Sequence, residues 1–128
     1  MDMINITVKS TTYRCAPMSA MDEYAITQKI ESPLMLGLRH NPAVLDEQGK
    51  IKAGDIKSIV RVLDPESTAF IYNKMFEWGV FNGQDRLDME SFQGKTGDLR
   101  ELIAQYIFQA FGNFISGLED DIFNNEDE

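Results

Sequence analysis

The chain is poor in the residues that staple, coordinate and catalyse. Its 128 residues include one cysteine, Cys15, and one histidine, His40. A single cysteine cannot close an internal disulfide, so nothing points to an oxidising compartment. One thiol and one imidazole fall short of a zinc site built from this chain alone. No apolar run approaches the roughly 18 residues that a membrane span needs. Met1–Lys9 is polar and alternating rather than a signal peptide. Basic residues are scarce as well, 12 Lys and Arg against 21 Asp and Glu, for a formal charge of −9. A nucleic-acid binder carries a basic face, and no basic cluster is present, so neither nucleic acid nor a membrane is expected as a partner. The phosphate-cradling motif G-x-x-x-x-G-K-[ST], the dinucleotide motif G-x-G-x-x-G and the nucleophile elbow G-x-S-x-G are all missing. No cofactor is expected, and there is no positive case for catalysis.

What is present suits a folded domain. Hydrophobic residues make up 43% and charged residues 26%, which excludes a collagen-like chain and wholesale disorder. The length allows one domain with a core that needs no staples. The negative charge is uneven. Glu119, Asp120, Asp121, Glu126, Asp127 and Glu128 carry six of the net nine charges, and the last ten residues hold no Lys or Arg. Residues 1–118 therefore read as one helical domain, and 119–128 as an acidic tail, disordered and solubilising. A tail that repels phosphate or grips a basic partner is the sharper alternative.

Ile4, Ile6 and Val8 alternate with polar Asn5 and Thr7, and Tyr13 and Cys15 resume the alternation after Lys9–Thr12. Two short strands joined by a tight turn follow. An isolated hairpin is marginal in water, so a helical layer must cover it. Pro17 breaks the strand pattern. Ser19 then has the character of an N-cap, with Asp22 three residues on and Glu23 completing an acidic first turn. Met21, Tyr24, Ala25, Gln28 and Ile30 recur at roughly helical spacing, and Pro33 is expected to end or kink that helix. Leu34, Met35, Leu36 and Leu38 form an apolar segment too short for a readable period. Asn41-Pro42 and Asp46–Lys50 mark turns. A helix is expected from Asp55, with Ile56, Ile59, Val60 and Leu63 on one face.

Asp64-Pro65 is a helix start, a cap followed by a proline whose missing N–H would be unpaired there anyway. That helix carries Phe70, Ile71, Met75, Phe76 and Trp78, and Gly79 closes it. Val80–Gly97 reads as a loop with one helical turn near Leu87–Phe92. Asp98 is expected to cap one long helix, in which Leu99, Leu102, Ile103, Tyr106, Ile107, Ala110, Phe111, Phe114, Ile115 and Leu118 keep a single apolar stripe until Gly117 and the acidic run end it. The fold class expected is mainly α, a small helical domain with a short N-terminal β-hairpin and an acidic C-terminal tail.

Candidate chemistry is thin. Asp46–Ile51 has the outline of a calcium loop, but Val44 and Asp55 would fill the first and last ligand positions, which need a carboxylate and a bidentate Glu. His40 reads as a loop or surface residue and Cys15 as a small buried one, and no spacing ties them into a nucleophilic pair. Asp85, Asp88 and Glu90 read as solvated loop charges rather than a catalytic carboxylate pair. The aromatic residues are more informative. Phe108 falls off the stripe set by Phe111 and Phe114, and Ile122 and Phe123 are apolar within an acidic run. Phe108, Phe111, Phe114, Ile122 and Phe123 are therefore the candidate partner-binding residues. That reading fails if every ring is enclosed beside a cavity of converging ionisable groups.

Three ordered features carry a family resemblance. A short hairpin ends in Tyr13-Arg14-Cys15-Ala16-Pro17-Met18-Ser19-Ala20. A helix then runs to Pro33-Leu34. A late helix carries Tyr106, Phe108, Phe111, Asn113 and Phe114. This resembles the tail assembly chaperones of long-tailed bacteriophages, over most of residues 4–118, with no counterpart for Asp46–Asp55. The resemblance implies a non-enzymatic protein of the host cytoplasm, absent from the mature virion. It would bind the phage tape measure protein and help recruit the tail tube protein, with homo-oligomer formation left open. The rival reading from the charge alone is a small acidic inhibitor, a nucleic-acid mimic that binds a basic partner.

Overall fold

A computed structural model describes residues 3–40, 46–48, 50, 60, 61 and 63–126, the side chains of 121–126 excepted. The N-terminal alternation becomes strands β1 (Ile4–Val8) and β2 (Thr11–Cys15), paired antiparallel from Ile4 opposite Cys15 to Val8 opposite Thr11. The turn between them puts Lys9 at φ 57°. Ile6, Val8, Tyr13 and Cys15 are buried while Asn5, Thr7, Thr12 and Arg14 face out, the period-two pattern of a half-buried sheet.

The sheet is larger than the expected hairpin. Val80–Gly97 is not simply a loop. It contains β3 (Val80–Asn82) and β4 (Asp85–Arg86), which extend an antiparallel sheet in the order β1-β2-β3-β4. Val80 lies opposite Cys15, and Phe81 lies opposite Arg14 on one side and Arg86 on the other. Strands this short show no readable alternation. The available signal was Asn82-Gly83, a hairpin dipeptide, with Gly83 at φ 63°. The expected helical turn is the 3-10 helix Met89–Phe92, capped by Asp88, whose carboxylate accepts the Ser91 N–H at 3.1 Å.

Helix α1 (Ala20–His40) begins as the sequence predicts, with the Asp22 N–H donating to Ser19 Oγ at 3.2 Å. It does not end at Pro33. The missing N–H costs about 3 kcal/mol in a helix interior. Against that, Ile26, Ile30, Leu34 and Leu38 lie four residues apart and all are buried, each worth about 1.5–3 kcal/mol. The core therefore carries the helix through the proline. Helix α2 (Pro65–Trp78) starts at the expected Asp64-Pro65 step; the Asp64 carbonyl accepts the Thr68 N–H at 3.1 Å, but the Asp64 side chain makes no capping hydrogen bond to the helix. Gly79 closes it at φ 132°, and a β-carbon there would stand 2.7 Å from Phe81 Cε2.

The long C-terminal helix is two. Helix α3 (Thr96–Ala110) starts two residues before Asp98, which sits in its first turn and pairs with Lys9 Nζ at 3.0 Å instead of capping. The chain breaks at Phe111 (φ −118°, ψ 33°) and continues as helix α4 (Gly112–Glu126). Gly112 is a poor helix former, and the bend lets Ile115 and Leu118 stay buried as α4 packs on α1. Gly117 does not stop α4. Residues 119–126 belong to it, so a separate tail beginning at 119 is not established. Glu119 is buried, with its Oε1 3.8 Å from Lys50 Nζ. The helix expected from Asp55 lies outside the described residues except for Val60, Arg61 and Leu63, of which Val60 and Leu63 are buried. Residues 127 and 128, and the segment compared with a calcium loop except for 46–48 and 50, lie outside them too.

The core sits between the inner sheet face and the helices. Helix α3 packs along β1, and Gln105 Nε2 donates to the Thr7 carbonyl at 3.1 Å. Phe92 closes one end, with ring centroids 5.6 Å from Tyr13 and 6.0 Å from Phe76. Among the described residues no buried side-chain polar atom lacks a hydrogen bond.

Candidate partner-binding cleft

The first turns of α1 meet the α3–α4 elbow at an open cleft of about 480 Å³. Ser19 caps α1 just after Pro17, so the helix leaves the sheet with its opening residues only partly covered. Met21 is 77% exposed and Tyr24 60%. The opposite wall is the elbow. The Phe111 N–H donates to the Ile107 carbonyl and the Phe111 carbonyl accepts the Ile115 N–H, both at 2.9 Å. The Phe111 ring is buried edge-on against Tyr106, centroids 6.0 Å apart. It forms the floor, and half-buried Phe114 forms the wall beside it. Glu23, Thr27, Gln109 and Asn113 supply a polar rim. A cleft with an apolar floor and a few convergent polar groups is the usual form of a binding site.

Among the described residues Glu23 is the one carboxylate lining the cleft, and no imidazole or thiol lies there to pair with it. Cys15 is buried in β2, and burial pushes its thiol up to about 12. It is a neutral packing group at physiological pH. His40 is exposed at the far end of α1. Among the described residues no hydrogen bond joins the two. Asp88 caps the 3-10 helix, and Asp85 lies exposed in β4. Among the described residues no three His, Cys, Asp or Glu side chains are grouped to hold a metal. No helix among them is long and apolar enough to cross a membrane.

The candidate residues divide. Phe111 and Phe114 share the cleft, but Phe111 is 4% exposed and acts as floor rather than as a free ring. Phe108 lies elsewhere, half-buried against the core and one turn beyond Gln105. Ile122 and Phe123 are on α4, with side chains outside the described residues. Met21 and Tyr24 were missed because their spacing suited a core face. The deciding signal was the four-residue rhythm of Ile26, Ile30, Leu34 and Leu38, which turns Tyr24 away from the core.

Comparison with family models, with curated proteins and with solved structures gave no match. Function has to be read from the cleft itself.

Proposed function

We propose that this chain is a tail assembly chaperone of a long-tailed bacteriophage. It binds the tape measure protein in the host cytoplasm, helps recruit tail tube subunits and leaves before the virion is complete. It performs no chemistry of its own. The observation that carries this reading is the pair of large apolar side chains, Met21 and Tyr24, left in water beside a cleft floored by Phe111 and walled by Phe114. An amphipathic helix of a client fits such a surface, laying apolar side chains at i, i+3 and i+4 into the cleft. Among the described residues the rings are not all enclosed, Tyr24 being 60% exposed.

Co-expression with a tape measure fragment tests it. The fragment is expected to stay soluble and to co-purify with this chain. Met21→Asp combined with Tyr24→Asp is expected to abolish both, with the circular dichroism spectrum unchanged. A fragment that aggregates equally with and without the chain overturns the reading.

One observation favours a second reading, an acidic inhibitor of a basic partner. The backbone through Asp120, Asp121 and Glu126 is helical, so these acids, unlike the buried Glu119, stand on a scaffold that a nucleic-acid mimic could use. Neutralising the acids of the last ten residues separates the two. A mimic loses its partner, whereas the chaperone keeps its client.

A further inference from the structure

A second groove reverses the charge of the molecule. It lies between the N-terminal halves of α2 and α3, with a volume of about 440 Å³. Leu63, Leu99 and Ile103 form an apolar floor, with Tyr72 at one side. Among the described residues the charged side chains lining it are Arg61 and Arg100, and no carboxylate does. Both arginines are exposed, and neither makes an ion pair among the described residues. In a chain of 21 acids and 12 bases, two guanidinium groups without an ion pair among the described residues, over an apolar floor, specify a ligand with apolar side chains flanked by carboxylates. Guanidinium forks suit carboxylates better than any other cation on the chain.

The chain itself contains such a segment. Ile122-Phe123 lies in Glu119–Glu128, which has six acids and no base, and its backbone is helical to Glu126. Within one molecule Glu119 and Asp120 are held near Lys50, at 3.8 Å and 3.4 Å, and do not line this groove. We propose that the α2–α3 groove receives the acidic C-terminal segment of a second copy of the chain, Ile122 and Phe123 against the floor and the carboxylates on Arg61 and Arg100. Long-range repulsion between two chains of charge −9 keeps the association weak, so it shows as a mass that rises with concentration.

The probe is a labelled synthetic peptide of residues 117–128, titrated with the full chain and followed by fluorescence anisotropy. Saturable binding is expected. Arg61→Glu and Arg100→Glu are each expected to weaken it about tenfold or more, since a hydrogen-bonded charge is lost and a repulsion gained. Both sites are exposed, and an unchanged thermal midpoint shows that each variant folds. A peptide carrying Ile122→Asp and Phe123→Asp is expected not to bind. In sedimentation equilibrium the full chain is expected to self-associate and both arginine variants to stay monomeric. Tyr24→Ala, in the other cleft, is expected to change neither measurement. A chain that stays monomeric at every concentration overturns the proposal. So does a peptide that fails to bind, or one that binds the wild type and both arginine variants equally.

Discussion

The first turns of α1 have two flanks, and the molecule finishes them differently. On the flank toward α2, Trp78 Nε1 donates to Asp22 Oδ2 at 2.7 Å. Lys74 Nζ completes the seam, 3.4 Å from Asp22 Oδ1 and 3.6 Å from Glu77 Oε2. Trp78 is 39% exposed, yet its polar edge is bound, so its exposure is the ordinary consequence of an amphipathic ring at a seam. On the other flank Tyr24 is more exposed, and among the described residues no hydrogen bond holds its hydroxyl. The bond nearest to it runs from Thr27 Oγ1 to the Tyr24 carbonyl at 2.8 Å. Exposure alone does not single out an interface. Exposure with nothing to account for it, beside a cleft, does; among the described residues Met21 and Tyr24 meet that condition, whereas Leu36, 59% exposed farther along α1, lines no part of this cleft.

The floor of the open flank should be the costliest thing to change. Phe111→Ala removes a buried ring from the elbow and its edge-on contact with Tyr106. It is expected to lower stability by about 3–5 kcal/mol in urea unfolding, because the bend between α3 and α4 collapses with it. A loss below about 1 kcal/mol would show that the elbow is held by its backbone bonds alone. The closed flank has its own fixed point one residue beyond Trp78. Gly79→Ala forces an L-residue to φ 132° and sets a methyl against Phe81. It is expected to cost about 1–3 kcal/mol, less than the elbow since the Phe81 ring is half-exposed and can swing aside.

The same contrast explains what could be read in advance. The hairpin, the Ser19 cap and the Asp64-Pro65 start are local devices, each written in a few adjacent residues, and the structure contains all three. The break at Phe111 is not local. The stripe from Leu99 to Leu118 is continuous on paper, and only the need to bring Ile115 and Leu118 onto α1 bends it. Pro33 is the converse, a strong local stop overridden by four buried side chains. Strands β3 and β4 have three and two residues, too few for a pattern, and they exist because β2 offers an edge. The cleft was half legible. Phe111 and Phe114 stood out as rings, whereas Met21 and Tyr24 became visible only once the buried face of α1 was fixed.

The closed flank should respond to acid. The Trp78 N–H, and after it the nearby Lys74 ammonium, hold the Asp22 carboxyl below its ordinary value of 3.8. A carboxyl whose value is lowered by folding contributes stability above its unfolded value. That contribution disappears as pH falls through the lowered, folded value. The wild type is therefore expected to lose more thermal stability than Trp78→Phe as pH drops from 5 to about 2, since the variant lacks the N–H donor. Parallel curves for the two proteins, by circular dichroism melting, would mean that the seam does not depend on the Asp22 charge. Asp22 is accessible to water, so the difference should be modest.

The open flank should be almost silent in stability and loud in binding. Tyr24→Ala removes an exposed ring that packs little and bonds nothing through its hydroxyl, so its effect on unfolding is expected within about 0.5 kcal/mol. If the ring is an anchor for a client helix, the same change is expected to weaken client binding by about 2 kcal/mol, roughly thirtyfold, as truncating an interface hot spot does. The two measurements together decide what either alone leaves open. A large stability loss would mean that Tyr24 belongs to the core after all. No loss in either would make this flank as inert as any exposed turn of helix, and the asymmetry between the two sides of α1 would then have no function attached to it.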